Sequence, residues 1–106
     1  MNNTTAVFVN QYAKEILSLI GKAKAMQINS MTDVWAFFGQ SMLGEYIIQK
    51  GNGQRKGQAF MNAMSFHYPS IYKLLTGSPV DPFYHDSTEA IITATQHIIK
   101  AAQRLP

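Results

Sequence analysis

The stretch from Ser30 to Lys50 constrains the fold most strongly, because its apolar residues fall on two sides of a helix. These residues repeat at helical spacing, as Met31, Trp35, Phe38, Met42 and Tyr46 on one side and Val34, Phe37, Ile47 and Ile48 on the other. A helix with two apolar sides must be surrounded by neighbours. The pattern therefore predicts a central helix over residues 30–50 with Ser30 at its start, and Gly39 and Gly44 inside it predict close approach of another helix.

An amphipathic pattern precedes this segment. Apolar residues recur at helical spacing from Val9 to Met26, and polar residues occupy the opposite face. The polar cluster at residues 27–30 ends the pattern. A first helix is therefore predicted before the central one.

After the central segment, Pro69 divides the helical pattern in two. A helix that includes Phe60 must end or kink near Phe66 or His67, because the residue before a proline is driven out of the α region. Proline is favoured in the first turn of a helix, so a short helix follows and Gly77 closes it. These residues predict two helices joined at a sharp boundary.

A loop of about a dozen residues, 76–87, separates the short helix from the last one. The last helix is predicted to begin at Asp86 or Ser87, with Glu89 completing a capping box for Asp86. The fold class is therefore all-α, a compact bundle of four to five helices around the central helix. With 106 residues, 46% of them apolar, the chain supports one core and hence a single helical domain over residues 1–106.

Charge and residue usage exclude several functional classes. The chain contains no cysteine, which removes disulfides, thiolate nucleophiles and zinc knuckles. Its net charge is +3, but only 14% of its residues are charged. We expect neither a signal peptide nor a membrane span, so the cytoplasm is the predicted location.

The sequence contains no recognisable catalytic or metal centre. The histidines are His67, His85 and His97, and none belongs to a metal-ligand motif such as H-x-x-x-H. His67 is predicted on the inner face of its helix. No serine lies in a nucleophile elbow. We therefore predict that the protein is not an enzyme and uses no cofactor or metal.

The segment from Lys50 to Gly57 is predicted to be a flexible connector rich in glycine. It differs from nucleotide-binding loops in spacing, and it follows a helix where such loops follow a strand. Its basic residues, Lys50, Arg55 and Lys56, lie ahead of a helix N-terminus. They predict a contact with an acidic partner or with a phosphate backbone.

The loop Asp81-Pro-Phe-Tyr-His-Asp86 supports two interpretations. Phe83, with or without Tyr84, is predicted to pack between helices and hold the loop down. Alternatively, the loop presents Tyr84 and His85 for recognition, since exposed aromatic residues contribute much of the energy at interfaces.

The C-terminal third of the chain, from Arg55 to about Ile92, contains a recognisable series of residues. They are Gly57-Gln58, Asn62, Pro69, Ile71-Tyr72, Thr76, Asp81-Pro82-Phe83-Tyr84 and Asp86. This series resembles a pattern in small phage and prophage open reading frames. The resemblance implies an origin in a mobile element, and hence the cytoplasm of a host cell, and supplies no catalytic or binding residue.

The favoured hypothesis is a phage-type module that binds a host protein or protein complex, for instance as an inhibitor of a defence complex. Its predicted contacts are Lys50, Arg55, Lys56, Tyr84 and His85. The alternative is a small repressor-like protein that binds nucleic acid, with Gln58 or Asn62 at a helix start making base or phosphate contacts. Self-association through apolar helix faces is compatible with either hypothesis.

Overall fold

The computed structural model describes the backbone of residues 3–104 and, within that range, the side chains from residue 11 onward except those of Ile20 and Lys24. The described residues form six helices and contain no strand, so the all-α prediction is confirmed. The helices are α1 (Asn3–Ala25), α2 (Met31–Phe38), α3 (Gln40–Gly51), α4 (Lys56–His67), α5 (Pro69–Leu75) and α6 (Thr88–Gln103).

The predicted central helix is divided at Gly39. Ser30 begins it as expected, because its hydroxyl accepts a hydrogen bond from the Asp33 N–H at 3.2 Å. At Gly39 the backbone has φ 98°, a conformation that is costly for a residue with a Cβ. The single helix over residues 30–50 was therefore a wrong prediction, and so was the count of four to five helices.

The division at Gly39 lets each half of the segment bury its apolar residues separately. Helix α2 contacts α1, α3 and α6, whereas α3 packs mainly along α4. Val34, Phe37 and Phe38 of α2 are buried, as is Met42 of α3. One straight helix is thus replaced by two that approach the core from different directions.

The core lies where α4 and α6 meet the other helices. Phe38 and Phe60 pack edge to face with ring centroids 5.7 Å apart, an arrangement that adds to the energy of burial. The methionines Met42, Met61 and Met64 are buried. Trp35 packs against this core, with its ring 4.8 Å from that of Tyr46.

The outer face of α3 differs from the prediction. Ile47 and Ile48 are 60% and 61% exposed, although the sequence pattern assigned them to an apolar side facing neighbours. Gly44 lies between them and the start of the helix, and a Cβ built there meets no atom within 4 Å. The close approach predicted at Gly44 is therefore absent. Within the described residues, no helix has the length and hydropathy to cross a membrane.

Helix α5 depends on a carboxylate from α1. Its first residue is Pro69, and the Tyr68 side chain provides no cap. Glu15, only 6% exposed, accepts hydrogen bonds from the N–H groups of Ser70 and Ile71, each at 3.0 Å. A buried carboxylate at the positive end of a helix satisfies amides that lack a partner within that helix. Burial raises the pKa of the Tyr68 phenol, and the Glu15 charge raises it further.

Replacement of Glu15 by glutamine should therefore destabilise the protein. The amide has one acceptor oxygen and brings an NH₂ group toward backbone donors, so we expect a loss of about 1.5–3 kcal/mol in the free energy of unfolding. Urea denaturation of the Glu15→Gln variant measures this loss. Glu45→Gln is the matched control, because among the described residues the Glu45 carboxylate accepts from the nearby Gln49 amide alone. This substitution should change the free energy of unfolding by less than about 0.5 kcal/mol. Equal stability of the two variants would contradict the role of Glu15.

Candidate functional site

The loop before α6 supplies hydrogen-bond partners to the first turn of α4. The Lys56 N–H donates to the Asp86 carboxylate and the Gly57 N–H donates to the His85 carbonyl, both at 2.9 Å. The first amides of a helix have no partner inside it. Two segments that are about 30 residues apart in sequence are thereby joined.

This use of Asp86 corrects the predicted start of α6. The capping box of Asp86 and Glu89 is wrong, because the Asp86 carboxylate points to α4. Ser87 caps α6 instead, with its hydroxyl accepting from the Ala90 N–H at 3.2 Å. The alternative start at Ser87 is confirmed.

Gly57 is the point of closest approach between α4 and the loop. A Cβ at this position would lie 1.7 Å from the Pro82 carbonyl oxygen and 2.7 Å from that of His85. Pro82 itself is buried. No residue with a side chain fits here without displacing the loop backbone.

The predicted connector is shorter and more ordered than expected. Helix α3 continues to Gly51 and α4 begins at Lys56, so the residues between the helices are 52–55. The Gln54 carbonyl accepts from the Lys50 ammonium at 2.7 Å, and the Gln54 side chain bonds to both Gln49 and Asn62. These bonds hold the connector against both helices.

Asp81 shapes the other half of the site. Its two carboxylate oxygens accept from the N–H groups of Gly77, at 2.8 Å, and Phe83, at 3.0 Å. The His85 N–H donates to the Pro82 carbonyl at 2.9 Å and closes a turn. Since both ends of the segment are bonded to defined partners, the loop presents its side chains in a fixed arrangement.

Arg55 connects the aromatic side chains of the loop to α4. Its guanidinium lies 5.6 Å from the ring centroid of Phe83 and 5.8 Å from that of Tyr84, and it donates to the Phe83 carbonyl at 3.4 Å. The two rings pack edge to face at 4.9 Å. Phe83 packs against the core, as predicted, whereas Tyr84 is 80% exposed. The Nε atom of Arg55 is buried and has no hydrogen-bond partner among the described atoms.

Asp86 is affected by the charges of three cations in this region. Its hydrogen bond from the Lys56 N–H holds the pKa of this carboxyl below its usual value, and the charges of Lys50, Lys56 and Arg55 lower it further. His85 precedes Asp86 and is exposed. The structure thus brings together all five predicted contact residues, Lys50, Arg55, Lys56, Tyr84 and His85, which we call the Tyr84 surface.

Four polar residues between Gly57 and Asp86 have structural roles in this region. Gln58 accepts from the Arg55 N–H at 3.3 Å, and Asn62 donates to Gln54 at 2.8 Å. Asp81 and Asp86 bond to backbone amides as described above. These contacts explain their presence without reference to a ligand.

A cleft beside the Tyr84 surface was missed by sequence reasoning. It has a volume of about 180 Å³ and is lined by Met61, Tyr72, Thr76, Asp81, Phe83 and Tyr84. Its walls come from α4, α5 and the loop, so no local pattern reveals it. The only sequence signal was the recurrence of aromatic residues after Ile71 and Pro82.

The histidines form no common site. His67, His85 and His97 are all exposed, so the prediction of an inner position for His67 is wrong. His97 borders a second pocket, of about 210 Å³, between α1, α5 and α6. The described part of the chain has no group of three or more side chains arranged to hold a metal ion.

Comparison with protein-family models, with curated proteins and with solved structures finds no match to this chain. The function must therefore be argued from the geometry of the site.

The fit between Gly57 and the loop predicts opposite effects for two glycine substitutions. Gly57→Ala should lower the free energy of unfolding by about 1–3 kcal/mol, because the new methyl group collides with backbone atoms that cannot rotate away. Gly44→Ala should raise it by about 0.5–1 kcal/mol, because the helix gains propensity in open space. Urea denaturation measures both. A Gly57→Ala protein as stable as Gly44→Ala would show that the loop does not dock on α4.

Proposed function

We propose that this protein is a non-enzymatic binding module that acts by covering a surface of a host protein or protein complex. The observation that carries the proposal is the environment of Tyr84. Its ring is exposed, yet it packs against Phe83 and the Arg55 guanidinium. Tyrosine and arginine are enriched among the residues that dominate binding energy.

Fixing the loop in advance favours binding. Association costs free energy for every flexible side chain that it immobilises. Asp81 and the contact at Gly57 already restrain the loop that bears Tyr84. An exposed aromatic residue on a restrained loop therefore offers contact area at a low entropic cost.

The resemblance to phage open reading frames supports the biological setting. A phage product with a binding surface and no reaction centre is suited to block or redirect a host protein, such as a defence complex, in the host cytoplasm. Lys50, Arg55 and Lys56 favour a partner whose contact surface is acidic.

Nucleic-acid binding is the second candidate, favoured by the same three cations. Two observations weaken it. The first amides of α4, which would bind a phosphate, already bond to Asp86 and His85. Gln58 and Asn62 are also engaged within the chain. Self-association is a separate expectation, and Ile47 and Ile48 are among the exposed apolar residues available to it.

A pull-down from a bacterial host extract tests the proposal, using tagged protein with and without nuclease. We expect Tyr84→Ala to weaken capture about 30-fold, the loss typical of a dominant contact residue. Phe66→Ala should leave capture unchanged, since Phe66 is 66% exposed but lies about 16 Å along α4 from Arg55.

The controls separate the candidate functions. Both substitutions are at exposed positions, so circular dichroism should show an intact fold for each. Equal capture by the two variants would exclude Tyr84 as the centre of the interface. Loss of capture upon nuclease treatment would favour nucleic-acid binding instead.

A further inference from the structure

The cleft next to Tyr84 has the dimensions of a pocket for one side chain. Its volume is about 180 Å³ and three of its lining residues are aromatic, namely Tyr72, Phe83 and Tyr84. An apolar cavity of about 150 Å³ is large enough to bind benzene. The cleft therefore has room for one aromatic ring.

The electrostatics of the walls disfavour a cationic occupant. Aromatic rings with a nearby carboxylate often bind cations, and Asp81 lies in this cleft. However, Arg55 already occupies the cation position against Phe83 and Tyr84, at 5.6 and 5.8 Å from their centroids. Both oxygens of Asp81 already accept backbone hydrogen bonds. A second cation would be repelled by Arg55 and would find the carboxylate engaged.

The surroundings of the cleft favour anions. Arg55 contacts two of the rings that line it, and Lys50 and Lys56 lie near enough to Asp86 to act on its charge. The two nearby carboxylates, Asp81 and Asp86, are stabilised by backbone amides. Three cations thus accompany two carboxylates, and two of these cations, Lys50 and Arg55, donate to backbone carbonyls, which do not neutralise their charge.

We infer that the cleft binds a single aromatic side chain carried by an acidic segment of a partner protein. The ring enters between Tyr72, Phe83 and Tyr84, and the flanking carboxylates pair with Arg55 and Lys56. This inference rests on the proposed function, because it specifies the chemistry of the partner at the Tyr84 surface. Interfaces commonly combine one buried anchor with charged contacts at the rim.

Peptide titration of the full ¹⁵N-labelled chain, followed by NMR, tests the inference. The probe is the acetylated and amidated pentapeptide Glu-Asp-Phe-Asp-Glu. We expect saturable shift changes at the amides of Tyr72, Phe83 and Tyr84. Replacing the probe's phenylalanine by alanine should weaken binding at least about tenfold. Replacing its acids by Gln and Asn should also weaken binding and remove its dependence on salt.

Variants of the protein provide matched controls. Lys56→Gln keeps the backbone N–H that bonds to Asp86, so it should weaken the acidic probe several-fold while leaving the uncharged probe unaffected. Lys100→Gln, on the exposed side of α6, should leave the affinity for both probes unchanged. Tyr84→Ala should abolish the shifts, whereas Phe66→Ala should preserve them.

Several results would overturn the inference. The first is an absence of shift changes at the cleft. The second is binding of the alanine probe, or of the basic peptide Lys-Arg-Phe-Arg-Lys, as tight as that of Glu-Asp-Phe-Asp-Glu. The third is displacement of the acidic probe by oligothymidylate, which would indicate a site for nucleic acid. If the peptide does not bind while the Tyr84→Ala variant still captures less partner in the pull-down, the cleft inference is wrong and the proposed function stands. If the peptide binds while the pull-down shows no dependence on Tyr84, the cleft inference is supported and the proposed function fails.

Discussion

The docking of the loop backbone on the first turn of α4 is the interaction on which the site depends. Helix starts expose amides that need partners, and here the partners are Asp86 and the His85 carbonyl. The contact requires glycine at position 57, since any Cβ would overlap the Pro82 carbonyl. Once the loop is held there, Arg55 lies against Phe83 and Tyr84, and the charges of Lys50, Arg55 and Lys56 act on Asp86. The arrangement of the Tyr84 surface is therefore a consequence of how one helix begins.

A second contact between distant segments supports the same region. Glu15 from α1 fixes the start of α5, and α5 contributes Tyr72 to the cleft. In both cases a carboxylate remote in sequence satisfies the amides at a helix start. The walls of the cleft thus depend on two helix starts, each stabilised by another part of the chain.

Local sequence patterns predicted the features that depend on the conformational preferences of single residues and on their near neighbours in the chain. Ser30 caps its helix, Pro69 starts α5, and Gly77 adopts positive φ after it, as expected from the conformational preferences of these residues. The break at Gly39 was missed because glycine inside a helical pattern is compatible with either a close contact or a bend. Tertiary packing decided in favour of the bend.

The assembly of the candidate site was likewise beyond the reach of local sequence patterns. Its five predicted residues belong to two segments that the sequence predicts to be irregular, and nothing in the sequence indicates that these segments touch. The assignment of Asp86 to α6 was reasonable locally, but its partner lies 30 positions earlier in the chain. Likewise, the cleft needs side chains from α4, α5 and the loop, so it exists only after the chain has folded. Long-range partners of this kind leave no periodic signal.

Amide hydrogen exchange at Gly57 tests the docking of the loop most directly. The second amide of a helix ordinarily exchanges readily, because it has no partner within the helix. Here it is buried and bonded to the His85 carbonyl at 2.9 Å, so it should exchange at least about a thousandfold more slowly than in an unstructured chain. Exchange at close to the unstructured rate, with the middle of α4 still protected, would show that the loop does not dock and that the Tyr84 surface is not preformed.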